Sequence, residues 1–183
     1  SIKNVLIKYV NFPKYIVLSD SLLTLGAQAP AVVIASAYSV SQAGFFALAY
    51  RVALAPVVIL AESFGKVFMS RALILKRGQT LPFFVRSFYL VLVRIAIVPF
   101  LIIAFTATDL VLFVFGEGWG ESGSYIILLV PTVISIFVFV PVMTLFIVLE
   151  RQKMELRCQS FILVLRMAGL LVGVVIGNLQ LTI

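Results

Sequence analysis

The sequence predicts an all-α fold: a polytopic transmembrane bundle of about five helices. Composition is the first observation. Hydrophobic residues make up 63% of the 183 residues and charged residues 11%, against roughly 45–50% and about 25% in soluble domains. Mean hydropathy is +1.21. A soluble domain of this length has too much surface to hide so much apolar side chain, so the chain is expected to be dissolved in lipid. The second observation is pattern. Apolar residues run in long unbroken stretches, whereas barrel strands alternate polar and apolar positions. The third is that basic residues fall between these stretches, at every second connection. Together they exclude a soluble enzyme, a disordered tail and a secreted disulfide module.

Crossing about 30 Å of hydrocarbon takes about 20 apolar residues. Five segments qualify, near 15–38, 45–72, 82–105, 124–149 and 154–177, and short connections make residues 1–183 a single bundle. The leader carries Lys3, Lys8 and Lys14. The second-to-third connection carries Arg71, Lys76, Arg77 and Arg86, and the fourth-to-fifth Arg151, Lys153 and Arg157. Residues 39–44 are uncharged, and 106–123 hold only Asp109, Glu117 and Glu121. By the positive-inside rule the amino terminus is then cytoplasmic. Orientation thus accounts for the net charge of +7, and with no basic run interleaved with aromatics, no nucleic-acid partner is expected. The chain starts without methionine or a signal-peptide layout, and five is an odd number of spans. The expectation is a piece of a longer protein, with its last residues, 178–183, on the far side.

Pro30, Pro56, Pro99, Pro131 and Pro141 fall inside the expected spans. Each removes a helical N–H and favours a kink, which membrane helices tolerate where neighbours or cavity water satisfy the freed carbonyls. Gly169, Gly173 and Gly177 repeat a G-x-x-x-G spacing in the fifth span, a pattern that lets a second backbone approach closely.

Ionisable residues far from a span's ends are the informative ones. Arg94 lies near the middle of the third span and Arg166 near the middle of the fifth. An arginine at a helix centre costs roughly 2.5–3.5 kcal/mol on insertion scales, so it is expected to face water, a partner or a ligand. A carboxylate partner is the structural alternative, but deep arginines outnumber deep acids. In the second span Arg51, Glu62 and Lys66 share a stripe, since eleven positions return to within about 20° and Lys66 follows Glu62 at i+4. A Glu62–Lys66 ion pair, with Lys66 snorkelling to the surface, is the plainer explanation of that stripe. Asp20, Thr24 and Gln28 form a polar stripe expected to face the bundle interior, where Asp20 carries a proton, pairs with a lysine or simply packs. Cys158 is the single cysteine and there is no histidine, which excludes Cys/His metal sites and histidine acid–base chemistry. With no phosphate loop, zincin motif or nucleophile elbow, neither an enzyme nor a cofactor is expected.

Particular residues then bring a family into view. Phe12-Pro13 precedes the first span and Gln28-Ala29-Pro30 falls within it. Gly44 to Arg51 reads G-F-F-A-L-A-Y-R, followed by Pro56 and Gly65-Lys66-Val67-Phe68. Phe115-Gly116-Glu117-Gly118-Trp119, Gly123, Tyr125, Pro131, Pro141 and Arg151-Gln152 complete the order. This order resembles the carboxyl-terminal half of bacterial polysaccharide biosynthesis proteins. These are the O-antigen and exopolysaccharide (Wzx-type) flippases of the multidrug/oligosaccharidyl-lipid/polysaccharide exporter superfamily. The resemblance implies a two-lobed helical exporter in the bacterial inner membrane, of which this chain is most of the second lobe and from which the amino-terminal lobe is missing. It implies alternating access around a central cavity, and a polyprenyl-pyrophosphate-linked oligosaccharide as cargo, with polysaccharide polymerase and glycosyltransferases as partners. Arg51 and Lys66 match the pattern and carry over as cavity residues. A drug or cation antiporter of the same fold is the alternative, but its cargo would prefer a cavity of carboxylates. A non-transporting membrane scaffold of a polysaccharide assembly complex is another, for which kinked helices with buried charges are expensive.

Overall fold

The computed structural model describes residues 11–76, 78 and 80–177. They form five long helices: α1 (Asn11–Ala37), α2 (Val40–Leu75), α3 (Leu81–Phe115), α4 (Gly120–Val148) and α5 (Gln152–Ile176). One 3-10 turn, Glu117–Trp119, leads into α4. Each of the five is long and apolar enough to span a membrane, and no strand occurs among the described residues. The protein is an all-α polytopic bundle. The leader residues Lys3 and Lys8, and also Arg77, lie outside the described residues.

Local chemistry sets the helix ends. The Ser39 hydroxyl accepts from the Gln42 N–H at 3.1 Å and caps α2, supplying one of the acceptors that a first turn lacks. Pro82 in the first turn of α3 gives up an N–H that would have no helical partner there. Gly116 at φ 86 stops α3 and Gly177 at φ 70 stops α5, both in conformations that a side chain disfavours.

The third helix is longer than the sequence led us to expect. It continues past residue 105 to Phe115, so the connection expected over 106–123 shrinks to the short turn before α4. The apolar run 110–115 keeps the helix going, and Asp109 sits on its exposed side. The 36 residues of α2, at about 1.5 Å each, reach roughly 54 Å. That is well beyond the ~30 Å hydrocarbon core, so α2 tilts or projects from it.

α4 is the centre of the bundle, packed against α2 on one side and α3 on the other. Phe46, Ala49 and Val57 of α2, Leu92, Ala96 and Phe100 of α3, and Ile126, Leu129, Val133 and Phe137 of α4 fill the core between them. α1 pairs with α5, and this pair leans on α2 through α1 and touches α4 only lightly through α5. Outward positions such as Val32, Ile59, Phe83, Phe113 and Val175 are apolar and exposed, as a lipid-facing surface requires.

Contacts at the two ends fix the up-and-down order. Lys76 and Glu150 pair at 3.1 Å, joining the α2–α3 and α4–α5 connections. The Lys153 ammonium lies 5.7 Å from the centre of the Tyr15 ring, which brings the start of α5 to the start of α1. At the opposite end Phe45 meets Trp119 edge-on at 5.7 Å. The basic connections therefore share one end of the bundle and the non-basic ones share the other.

Candidate functional site

The site is built where α1 meets α5. Gly26 has no side chain, and a Cβ there would sit 3.2 Å from Leu163 Cδ1 and 3.5 Å from Arg166 Nη1. Such a Cβ would crowd Leu163 slightly and be in ordinary contact with the guanidinium, whose Nη1 donates to the Gly26 carbonyl at 3.1 Å. Beside this contact lies a cavity of about 320 Å³ shared by four helices. Gly26 and Pro30 come from α1, Phe46 and Tyr50 from α2, Leu129 and Thr132 from α4, and Arg166 and Gly169 from α5. Phe46 and Tyr50 stack with centroids 5.7 Å apart.

Arg166 is half-buried, and among the described residues no carboxylate forms an ion pair with it. Its single hydrogen bond occupies one of the five N–H donors of a guanidinium. A fixed positive charge thus stands near the middle of a membrane-length helix, with a phenol and a threonine hydroxyl lining the same space. That donor set suits an anion: a guanidinium binds phosphate or carboxylate oxygens as a planar fork. The volume is at the small end of ligand pockets. It has room for a phosphate-sized group, not for an oligosaccharide.

A family model described as polysaccharide biosynthesis protein matches residues 2–124. The chain belongs to this family. The match takes in α1, α2 and α3 and the start of α4, and with them Gly26, Pro30 and Tyr50; Thr132 and Arg166 lie beyond it. No curated protein and no solved structure matches the chain.

The other candidate residues of this polysaccharide biosynthesis protein are placed apart from the cavity. Arg94 is exposed on α3 and is not in its lining. It falls between buried Leu92 and Ala96, and at 100° per residue it therefore points away from both. Leu90, Val91, Ile97, Val98 and Leu101 are exposed along with it. The structure does not bring the two arginines into one interior, because α3 packs on α4 while α5 pairs with α1.

On α2, Arg51, Glu62 and Lys66 are all exposed. Glu62 and Lys66 are not paired, the ion pair among the described residues being Lys76–Glu150. On α1 the Asp20–Thr24–Gln28 stripe is also exposed. It does not face the interior of the described helices, because α1 turns Ser19, Gly26, Pro30 and Ile34 inward. Asp20 has no lysine partner among the described residues, and lies within electrostatic reach of Glu155 on α5. The glycine repeat of α5 meets a neighbouring helix at its middle position, Gly173, and not at the other two. Gly169 has open space where its Cβ would be, and Gly177 is the helix cap. Gly173 is buried and accepts from the Tyr38 hydroxyl at 3.4 Å.

Sequence reasoning missed the Gly26 carbonyl as the partner of Arg166, and Tyr50 and Thr132 as lining of the same cavity. Only Gly26 had a readable signal. It stands four residues before Pro30, so its carbonyl has no helical donor.

Proposed function

We propose that this chain is part of a Wzx-type flippase, which carries a polyprenyl-pyrophosphate-linked oligosaccharide from the cytoplasmic to the outer leaflet of the bacterial inner membrane. The observation that carries the proposal is Arg166: a central cation without a carboxylate partner among the described residues, lining a small polar-edged cavity, in a member of a polysaccharide biosynthesis family. A sugar headgroup with two phosphates cannot cross hydrocarbon unaided, since each unsatisfied polar group there costs several kcal/mol. A carrier must offer the diphosphate replacement donors while the prenyl tail stays in lipid. Arginine stays protonated throughout and supplies a fork of such donors. A cationic drug would be repelled by the same charge, which favours the lipid-linked cargo over an antiporter.

In this reading the exposed stripes Asp20–Thr24–Gln28 and Arg51–Glu62–Lys66 do not face lipid. The amino-terminal lobe of the same protein covers them, leaving a water-filled passage between the lobes wide enough for the glycan. The end of the bundle that carries Lys76 and Lys153 is cytoplasmic. No covalent step and no cofactor takes part, and polymerase and glycosyltransferases act before and after the transfer.

Cells lacking the protein test the reading. Lipid-linked oligosaccharide should accumulate and stay inaccessible to a lectin added from the periplasmic side, and re-expression should restore both access and export. Normal lectin access in the deletion strain would exclude a flippase.

A further inference from the structure

Five prolines lie inside the helices: Pro30 in α1, Pro56 in α2, Pro99 in α3, and Pro131 and Pro141 in α4. Each deprives the carbonyl four residues earlier of its helical donor. The carbonyls concerned are those of Gly26, Val52, Ile95, Ile127 and Phe137. Among the described residues only the Gly26 carbonyl receives a side-chain donor, Arg166 Nη1 at 3.1 Å from a different helix. A Cβ at residue 26 would be in ordinary contact with that guanidinium, 3.5 Å from Nη1, so the freed carbonyl rather than the missing side chain is what draws the arginine in.

We propose that Arg166 is a positioning residue whose guanidinium caps the proline break of α1. It thereby pins the outer half of α1 to α5 and sets the width of the cavity between them. Two residues on two helices form the device: Pro30 of α1 frees the Gly26 carbonyl, and Arg166 of α5 donates an N–H to it. The contact gives α1 and α5 a polar tie at mid-depth, where a buried carbonyl has no water to turn to. This role is independent of what the protein carries. It explains why the arginine sits at that depth even when the cavity is empty of cargo.

The proposal makes Arg166 dispensable for geometry once the proline is gone, because an alanine at position 30 restores the N–H that Gly26 needs. The experiment is a double-mutant cycle on the whole membrane-embedded protein, with Cys158→Ser and spin labels at Ser36→Cys and Val175→Cys. Both label sites are exposed, near the outer ends of α1 and α5. Arg166→Ala should broaden the inter-label distance distribution and lower the Tm by roughly 3–8 °C. Pro30→Ala should leave the distribution narrow, and Pro30→Ala/Arg166→Ala should be as narrow as Pro30→Ala alone.

If Arg166→Ala does not accumulate, accumulation of the double variant is the expected rescue. Equal losses from Arg166→Ala in both backgrounds, no loss in either, or no accumulation of the double variant would overturn the cap. Export separates this proposal from the functional one. A double variant with restored geometry but no export assigns the charge to the cargo; one with restored geometry and normal export leaves the cap standing and removes the phosphate role.

Discussion

The α2–α3–α4 slab is drawn from more apolar sequence than the α1–α5 pair, and the two pack differently. The slab is dense. At the end away from the basic connections α3 and α4 come so close that a Cβ on Gly123 would lie 2.5 Å from Thr108 Cα. Buried side chains from all three helices fill its middle. The α1–α5 pair closes a cavity against α2 and α4, and its Gly169 faces open space. The two central arginines follow the same division. Arg94 stands on the outside of the slab among exposed apolar side chains, whereas Arg166 is drawn in between the pair and the slab, where it finds a carbonyl. The contrast is one of lining: the cavity within the slab is apolar, whereas the one between slab and pair, to which α2 and α4 also contribute, has Arg166, Tyr50 and Thr132 in its wall. Membrane proteins gain little from apolar burial as such, so tight van der Waals contact must hold the slab, which leaves the cavity side free to hold polar groups.

Substitutions can sharpen or break this contrast. The largest expected effect on stability is at the tight contact: Gly123→Ala forces α3 and α4 apart and should cost about 1–3 kcal/mol. The matching change on the other side, Gly169→Ala, meets no atom and should be neutral or stabilising, by up to ~1 kcal/mol from helix propensity. Thermal unfolding in detergent compares the two, and equal losses would contradict the division into dense and open sides. Next in size is Arg94→Leu. Because Arg94 has no ion-pair partner among the described residues and an apolar surround, its replacement should raise insertion efficiency by up to about 2.5 kcal/mol, read from glycosylation mapping of α3. A fall would mean that Arg94 has an anchoring role that its exposed position hides.

The smallest effect is expected at the basic end of the bundle. The Lys76–Glu150 pair is 36% and 73% exposed on its two sides, and exposed pairs contribute about 1 kcal/mol or less. Lys76→Ala should therefore shift the Tm by no more than about 2–4 °C, and less as salt is added. A shift several times larger would show that this end, rather than the slab, holds the helices in register.

Much of this fold is legible in the sequence, because apolar run length is a direct measure of what a bilayer demands. Helix ends are less so. A single carboxylate at Asp109 looks like a loop signal, but a helix near the membrane surface accepts it, and the stop comes at Gly116. For the site, depth was legible and direction was not. Arg94 and Arg166 stand at similar depth in their spans, but one-dimensional spacing does not say which face of α3 or α5 is covered. Neighbouring residues give that only when polar and apolar faces differ, and in these helices most faces are apolar. The stripe of Asp20, Thr24 and Gln28 was visible as a stripe, but its exposure depends on which side of α1 packs against α5. The Gly26–Pro30 spacing announced a carbonyl in need of a donor, while the donor lay 140 residues further along the chain.

The central claim is that the cavity holding Arg166, not the surface holding Arg94, handles the anionic cargo. Its most direct test is the rate at which lipid-linked oligosaccharide reaches the outer leaflet in cells carrying Arg166→Ala or Arg94→Ala, matched for the amount of protein inserted. Losing charge-assisted contacts worth about 1.5–3 kcal/mol should slow transfer by roughly 10- to 100-fold for Arg166→Ala, and Arg94→Ala should stay within about 2-fold of the unaltered protein. Transfer that is normal in Arg166→Ala, or lost equally in both, would contradict the account.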